Sequence, residues 1–341
     1  MKKIFPAVSV IIPLFNAERY VSECLTSLAN QTMQNFEIVV ADDCSTDNSV
    51  AVVQKFFATF GNRLKVLQLS KNSGAPGIPR NFAINASAGE YVFFLDADDL
   101  LDSAALENFY TAAKNFDADV VHAERSLSFV ESHGKFEAGF FAFQTGELVT
   151  APTLETFDLK KRVEDFIAKR YLWWGCNKLF RRQFLLDNAI TFRPLPRFED
   201  FLFALKCLLA AKNYVRVPNV DYYYRIRSDS MSHKIYPDAL TISDELAKIF
   251  RAVDEFLSSE NFFRDNFRYK FPIFDLFMRE QLDWISDSFF AKNKFDPAEL
   301  FELLRLKIFS REPANNVALT AYLFVAANLL TLHKNQSTSE A

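Results

Sequence analysis

Four short runs rich in β-branched and aromatic residues punctuate the first hundred residues: VSVIIP from Val8, FEIVVA from Phe36, LKVLQL from Leu64 and YVFFL from Tyr91. Between them apolar residues recur every three or four positions, as Val21, Leu25 and Leu28 do after Asn16. Short runs of this kind are strands, and the longer spacing marks helices. The alternation continues to about residue 125. It predicts an α/β fold with a Rossmann-like, mainly parallel sheet and helices on both faces. Asn16 and Ser45 are candidate N-caps. Val52, Val53, Phe56 and Phe60 share one helical face, and Ile78–Ala88 reads as a helix stopped by Gly89. After about residue 130 the alternation fades. Helical patterns dominate from Leu159, including a helix over Asp200–Leu209, with one strand near Asp221–Ile226.

Two of the strands run straight into acids, Asp42-Asp43 and Asp96-Ala97-Asp98-Asp99. In doubly wound sheets ligands bind at the carboxyl ends of the strands, so these acids are expected on one rim. Three carboxylates in four residues repel one another. A divalent cation would offset that repulsion, and hard oxygen ligands suit Mg²⁺ or Mn²⁺. On an extended segment Asp96 and Asp98 would point the same way and Asp99 elsewhere. The competing reading is a polar turn capping a helix that begins near Ser103. An EF-hand loop starting at Asp96 fails, because leucines stand at a ligand position and at the required glycine. Neither a GxGxxG nor a Walker A loop is present. A phospho-receiver module would leave two thirds of the chain unexplained.

The net charge of −4 argues against nucleic acid as a partner. Four scattered cysteines without a CxxC pair suggest free thiols in a reducing compartment. The opening MKKIFPAVSVIIPLFN imitates a signal peptide, but Pro6 and Pro13 interrupt its apolar run, and it reads as a first strand. The apolar stretch Val317–Leu332 falls short of the roughly 20 residues of a spanning helix. A buried or membrane-surface helix is expected there. Many of the 38 phenylalanines lie in the last third. They suggest a helical core or a membrane or partner contact.

VSVIIPLFNAERYVSECLTSLANQT, FEIVVADDCSTDNSVAVV and NSGAPGIPRNFAINASAGEYVFFLDADDLL, in that order, resemble the nucleotide-binding half of family 2 glycosyltransferases. The resemblance is close over residues 6–125. It continues more loosely through WWGCNKLFRRQFL, RFEDFLFALKCLL and YYYRIRSDSMSHK. It implies a GT-A fold followed by a mostly helical C-terminal region, and inverting, metal-dependent sugar transfer. The donor would be a nucleotide diphosphate sugar, with UDP the expected nucleotide. The acceptor would be a hydroxyl on a growing glycan or lipid-linked glycan, in bacterial surface polysaccharide synthesis.

The resemblance also implies roles. Pro13, Phe15 and Glu18 fall in the loop at the nucleotide, with Phe15 against the base. Asp43 matches the acid that accepts from uracil, with its neighbour Asp42 the alternative. Asn72, Gly74 and Arg80 match a segment near the donor, where Arg80 would help hold the diphosphate or ribose. Asp96, Ala97 and Asp98 match the DxD motif. Asp98 would bind Mn²⁺ or Mg²⁺ directly and Asp96 through water or the ribose, with His233 completing the metal site. Asp200 matches the base that deprotonates the acceptor, with Glu199 the alternative. Arg225 and Arg227 could meet the diphosphate. Trp173 or Trp174 would stack on a sugar or belong to the core. Lys178, Arg181 and Arg182 read as surface or cap residues. Pro76 and Pro79 depart from the pattern by stiffening the donor loop.

The expected organisation is a transferase domain over 1–235, a Phe-rich helical region over 236–333 and a frayed tail over 334–341. The helical region would serve acceptor, homo-oligomer or membrane-surface contacts. A cytoplasmic protein, or one peripheral to the inner face of the cell membrane, is expected.

Overall fold

The computed structural model describes residues 5–132, 135–141, 148–227, 237–284 and 297–309. The chain divides into two compact units, Met1–Arg227 and Ser228–Ala341.

The first unit is built on a ten-stranded sheet. Its strands are β1 (Val8–Leu14), β2 (Phe36–Asp42), β3 (Leu64–Gln68), β4 (Tyr91–Phe94), β5 (Leu100–Leu101), β6 (Val120–Ser132), β7 (Lys135–Phe141), β8 (Thr153–Leu154), β9 (Lys178–Arg181) and β10 (Tyr214–Arg225). The order is β3-β2-β1-β4-β9-β6-β10-β5, with β7 on β6 and β8 on β10. β1 lies parallel between β2 and β4, so the chain order reverses beside it. That reversal opens the crevice in which such sheets take ligands. The helices are α1 (Val21–Ala29), α2 (Ser49–Lys55), α3 (Phe57–Phe60), α4 (Gly77–Ala86), α5 (Ala105–Asn115), α6 (Leu159–Ile167), α7 (Arg182–Asp187) and α8 (Glu199–Ala210).

All four predicted strands form; β1, β2 and β4 are buried on both faces, with Val8, Val10, Ile11 and Ile12 wholly inaccessible, whereas β3 at the sheet edge is only partly buried. The sheet is less parallel than expected. β9 is inserted antiparallel between β4 and β6. Its sequence, KLFR, is too short and too charged to announce a strand, yet Lys178 is buried. β10 starts seven residues before the predicted strand.

The cap expectations also change. α1 begins at Val21, and Asn16 sits at φ 46° with its Oδ1 accepting from the Thr46 amide. The Ser45 Oγ accepts from the Asn16 amide instead of capping α2. Both side chains stitch the loop after β1 to the loop after β2. The helical face drawn through Phe56 is broken there, between α2 and α3. Gly89 lies beyond the end of α4. Its lack of a side chain lets it approach β1, where a Cβ would stand 2.5 Å from the Ser9 nitrogen.

The second unit contains α9 (Ala239–Ser259), α10 (Asn261–Asp265), α11 (Lys270–Trp284) and α12 (Pro297–Phe309). Asp238 caps α9 by accepting from the Thr241 amide, and α9 buries Ile242, Leu246, Ile249, Val253 and Leu257. The phenylalanines divide: Phe250, Phe274 and Phe277 are buried, whereas Phe267 and Phe271 are exposed. Among the described residues no helix is long and apolar enough to cross a membrane. His233, Val317–Leu332 and the tail lie outside the described residues.

Candidate active site

β2, β1 and β4 run parallel side by side, so the loops after them share one edge of the sheet, as the acids at the strand ends predict. Asp42 is fully buried, and its carboxylate accepts from the Ser45 amide at 3.1 Å and from Gln68 Nε2 at 3.2 Å. It ties β2 to β3. Asp43 faces the following loop, where its carboxylate accepts from the Ser73 amide (2.8 Å) and Ser73 Oγ (2.9 Å). Asn72 shapes that loop: its Nδ2 donates to the Asp43 carbonyl and its Oδ1 accepts from the Gly74 amide, both at 2.8 Å. Gly74 has φ +80°, a conformation that favours glycine. Phe15 is half exposed at the end of β1, just beyond Pro13. Glu18 is turned to the N-terminus of α2, accepting from the Asn48 amide and side chain at 3.0 Å.

The DxD segment is a turn rather than an extended strand, since the Asp99 amide donates to the Asp96 carbonyl at 3.0 Å. Asp96 and Asp98 therefore meet different cations. Asp96 pairs with Arg80 at 2.7 Å, and Asp98 pairs with Arg227 at 2.6 Å. Ala97 between them is buried. Asp99 turns inward, accepting from Tyr222 Oη at 2.5 Å and from the Arg225 amide at 2.8 Å. Burial, then the charges of Asp98 and Asp96, push its carboxyl well up. Arg225 binds the Asp98 carbonyl through Nε and Glu23 through its outer nitrogen. β10 thus holds the acidic turn from behind.

The expected polar cap for a helix near Ser103 is only partly present: Asp102 Oδ1 accepts from the Ala104 amide just before α5. Replacing Tyr222 with Phe would leave one oxygen of buried Asp99 without its donor. A stability loss of about 1–3 kcal/mol is expected. Urea unfolding measures it, and an unchanged midpoint would mean that the turn is held by Arg225 alone.

Arg80, on α4, is the centre of the site. Its side chain is 2% exposed and touches Asp96 at 2.7 Å, Asp200 at 2.9 Å and Glu199 at 3.1 Å. Burial works against its charge, but Asp96, Asp200 and Glu199 more than offset this and raise its pKa. The acids of the turn and those at the start of α8 are over a hundred residues apart in sequence, and one guanidinium joins them.

The acidic pair is unequal. Glu199 is buried, and its carboxyl is pushed up to about 8 by desolvation and then by Asp200. Asp200 is half-buried, with Oδ1 on Arg80 and Oδ2 accepting from the Gly175 amide at 2.9 Å. Both lie in the first turn of α8, where negative charge is favoured. Trp174 stacks on Tyr224, and Trp173 packs against Phe198 and Phe201.

Sequence reading missed Ser73, Gly175 and Tyr222. Tyr222 and Tyr224 are two apart on a strand and so share a face, which marks them as a pair. Nothing local flags Ser73 or Gly175, whose partners come from other loops. Lys178, Arg181 and Arg182 are not simply surface residues. Arg181 pairs with Asp117, Arg182 donates to Ser87, and Lys178 is buried.

The sequence model of the family described as Glycosyl transferase family 2 matches residues 9–186. A poly(ribitol-phosphate) beta-glucosyltransferase of Bacillus spizizenii is 33% identical over 225 residues, covering 65% of this chain and 32% of that protein. The chain therefore spans about a third of that relative. The poly(ribitol-phosphate) beta-N-acetylglucosaminyltransferase TarP of Staphylococcus aureus is 30% identical over 254 residues, covering 73% of this chain and 70% of TarP. A crystal structure of S. aureus TarS 1-349 superposes with a TM-score of 0.63 at 24% identity, covering 96% of this chain and 91% of that one. That likeness shows the fold, a GT-A-like sheet flanked by helices. The family match spans more than half of the chain, and with it the chain belongs to glycosyl transferase family 2.

Proposed function

We propose that this chain is an inverting glycosyltransferase that moves a sugar from a UDP-sugar to a hydroxyl of a polyol-phosphate or related bacterial cell-surface glycan. One observation carries the reading: Arg80 holds Asp96 of the DxD turn and Asp200 of the acidic pair within a single hydrogen-bonded cluster. An inverting transfer needs a base on the face of the sugar opposite the leaving nucleotide. The two ends of this cluster supply a donor-side acid and a base-side acid. The relatives' names, poly(ribitol-phosphate) glycosyltransferases, support the acceptor class, and the crystal structure of TarS 1-349 in complex with UDP-GlcNAc supports the donor class.

Asp200 is the better base of the pair. Glu199 stays protonated near neutral pH and is buried, whereas Asp200 is ion-paired and partly open to solvent. Asp43 and Phe15 would meet the base of the nucleotide. Asn72 and Gly74 hold the loop that carries Ser73 onto Asp43.

The DxD acids fit a divalent cation as part of its ligand set. Burial, and repulsion from Asp96, raise the Asp98 carboxyl against the pull of Arg227. Among the described residues no group of three or more His, Cys, Asp or Glu could hold a metal unaided. Asp98 and Asp96 would hold Mn²⁺ or Mg²⁺ together with the donor's phosphates. The ion would neutralise the charge of the departing nucleotide diphosphate.

Thermal shift with UDP, GDP, CDP and dTDP, each with and without Mn²⁺, tests this reading. Ligand at about 100 times its dissociation constant stabilises by roughly 2.7 kcal/mol, a rise of a few degrees. A UDP shift that requires Mn²⁺ and disappears in Asp98→Ala is expected. A metal-independent UDP shift that survives in Asp98→Ala would reject the metal site, and no shift with any nucleotide would favour a non-catalytic scaffold.

A further inference from the structure

Lys178 is a buried lysine that the proposed reaction leaves without a role. It is 1% exposed on β9, directly across from His122 of β6. Its Nζ donates to the Trp174 carbonyl oxygen at 2.6 Å. Among the described residues it has no carboxylate partner. The Trp174 carbonyl belongs to the same peptide group as the Gly175 N–H. That N–H donates to Asp200 Oδ2 at 2.9 Å. In a trans peptide the C=O and N–H point in opposite directions in one plane, so fixing one end aims the other. A cation on the oxygen also polarises the peptide and strengthens its N–H as a donor. Gly175 lets the peptide come this close: a Cβ there would stand 3.3 Å from Asp200 Oδ1 and from the Phe192 ring.

We propose that Lys178 is a positioning residue for the base, aiming and polarising, through the single peptide group between Trp174 and Gly175, the N–H that holds Asp200. The proposal rests on the reading of Asp200 as the base. Chemically, the relay favours the ionised carboxylate, the form that accepts the acceptor's proton. Without it Asp200 would keep only Arg80 and would rotate more freely.

The charged groups around the relay are few. Asp200 faces Arg80 from α4 and Glu199 beside it on α8. Lys178 senses Cys176 on its own loop and Asp200 and Cys207 on α8. His122, across the sheet, is pushed toward its neutral form by burial, then by Lys178 and Arg216. Burial lowers Lys178 to about 8, which leaves it mostly charged at neutral pH.

The test uses Lys178→Met, which keeps the apolar stem and removes the donor. In the full chain its acid limb of kcat/KM should move up by about one pH unit, a tenfold change in proton concentration. UDP affinity should be unchanged. A merely structural lysine would lower activity without moving the limb.

A direct readout is available as well. Trp174-Gly175 is the only Trp-Gly pair in the sequence, so ¹³C-carbonyl Trp with ¹⁵N Gly gives one cross-peak. That amide proton should move upfield in Lys178→Met, because its hydrogen bond weakens. An unmoved limb and an unmoved peak would overturn the proposal. If the variant does not fold, the same peak is followed from about pH 6.5 to 9.5 in Glu199→Gln, where only Lys178 is left to titrate near 8 in this cluster. A midpoint near 8 supports the relay, and a flat trace overturns it. Near-normal turnover in Asp200→Asn would instead sink the base reading and this proposal with it. An inactive Asp200→Asn beside a normal limb and peak in Lys178→Met sinks the proposal alone.

Discussion

Asp200→Asn should bind UDP as the parent chain does and transfer sugar about 10²–10⁴-fold more slowly, the range expected when a general base is lost. The amide keeps the shape of the side chain and can still accept from the Gly175 N–H. It cannot take a proton from an attacking hydroxyl. Glu199 will not substitute, because its carboxyl is already protonated near neutral pH and is buried against Gly77. Glu199→Gln is therefore expected to retain much more turnover than Asp200→Asn. Comparing kcat of the two variants at saturating donor and acceptor decides the matter. If Glu199→Gln proves the slower enzyme, the roles are reversed.

Arg80→Met should destabilise the first unit by about 3–5 kcal/mol, as when one partner of a buried ion cluster is removed. The substitution leaves Asp96, Glu199 and Asp200 facing one another without a cation. The loss should depend on pH, and its sign follows from linkage. Without Arg80 the folded-state carboxyls bind protons more tightly than the unfolded chain does. Stability then falls as pH rises above the unfolded value. For Glu199, already held at about 8 with Arg80 present, the variant's extra loss opens as pH rises through that value. Urea unfolding of Arg80→Met at pH 6 and pH 9 should show the variant closer to the parent at pH 6. Equal losses at the two pH values would mean that the cost is one of packing against Phe192 and Phe94 rather than of charge.

Much of the first unit could be read from the sequence, for local reasons. VSVIIP, FEIVVA and YVFFL are strands because short β-branched and aromatic runs bury both faces. The acids that follow Ala41 and Leu95 fall on the rim because strand ends do. α8 was legible to within one residue at each end, from Asp200–Leu209 to Glu199–Ala210. KLFR was not legible as β9, since it becomes a strand only when β4 and β6 present their edges to it. Asn16 and Ser45 were misread as caps because their short polar side chains suit either a helix start or a loop-to-loop bond. The tertiary structure chose the second.

Periodicity and strand ends by themselves determined that this is an α/β chain with acids lining the carboxyl edge of its sheet. Only the folded structure decided what each acid does. Asp42 went to β3, Asp43 to Ser73, Asp99 inward to Tyr222, and Asp96 and Asp200 to opposite ends of Arg80. A carboxylate's ionisation and orientation depend on its desolvation and on the cations within a few ångströms of it. In this chain those cations arrive from residues 16 to 129 positions away along the sequence: Arg80 for Asp96, and Arg227 for Asp98.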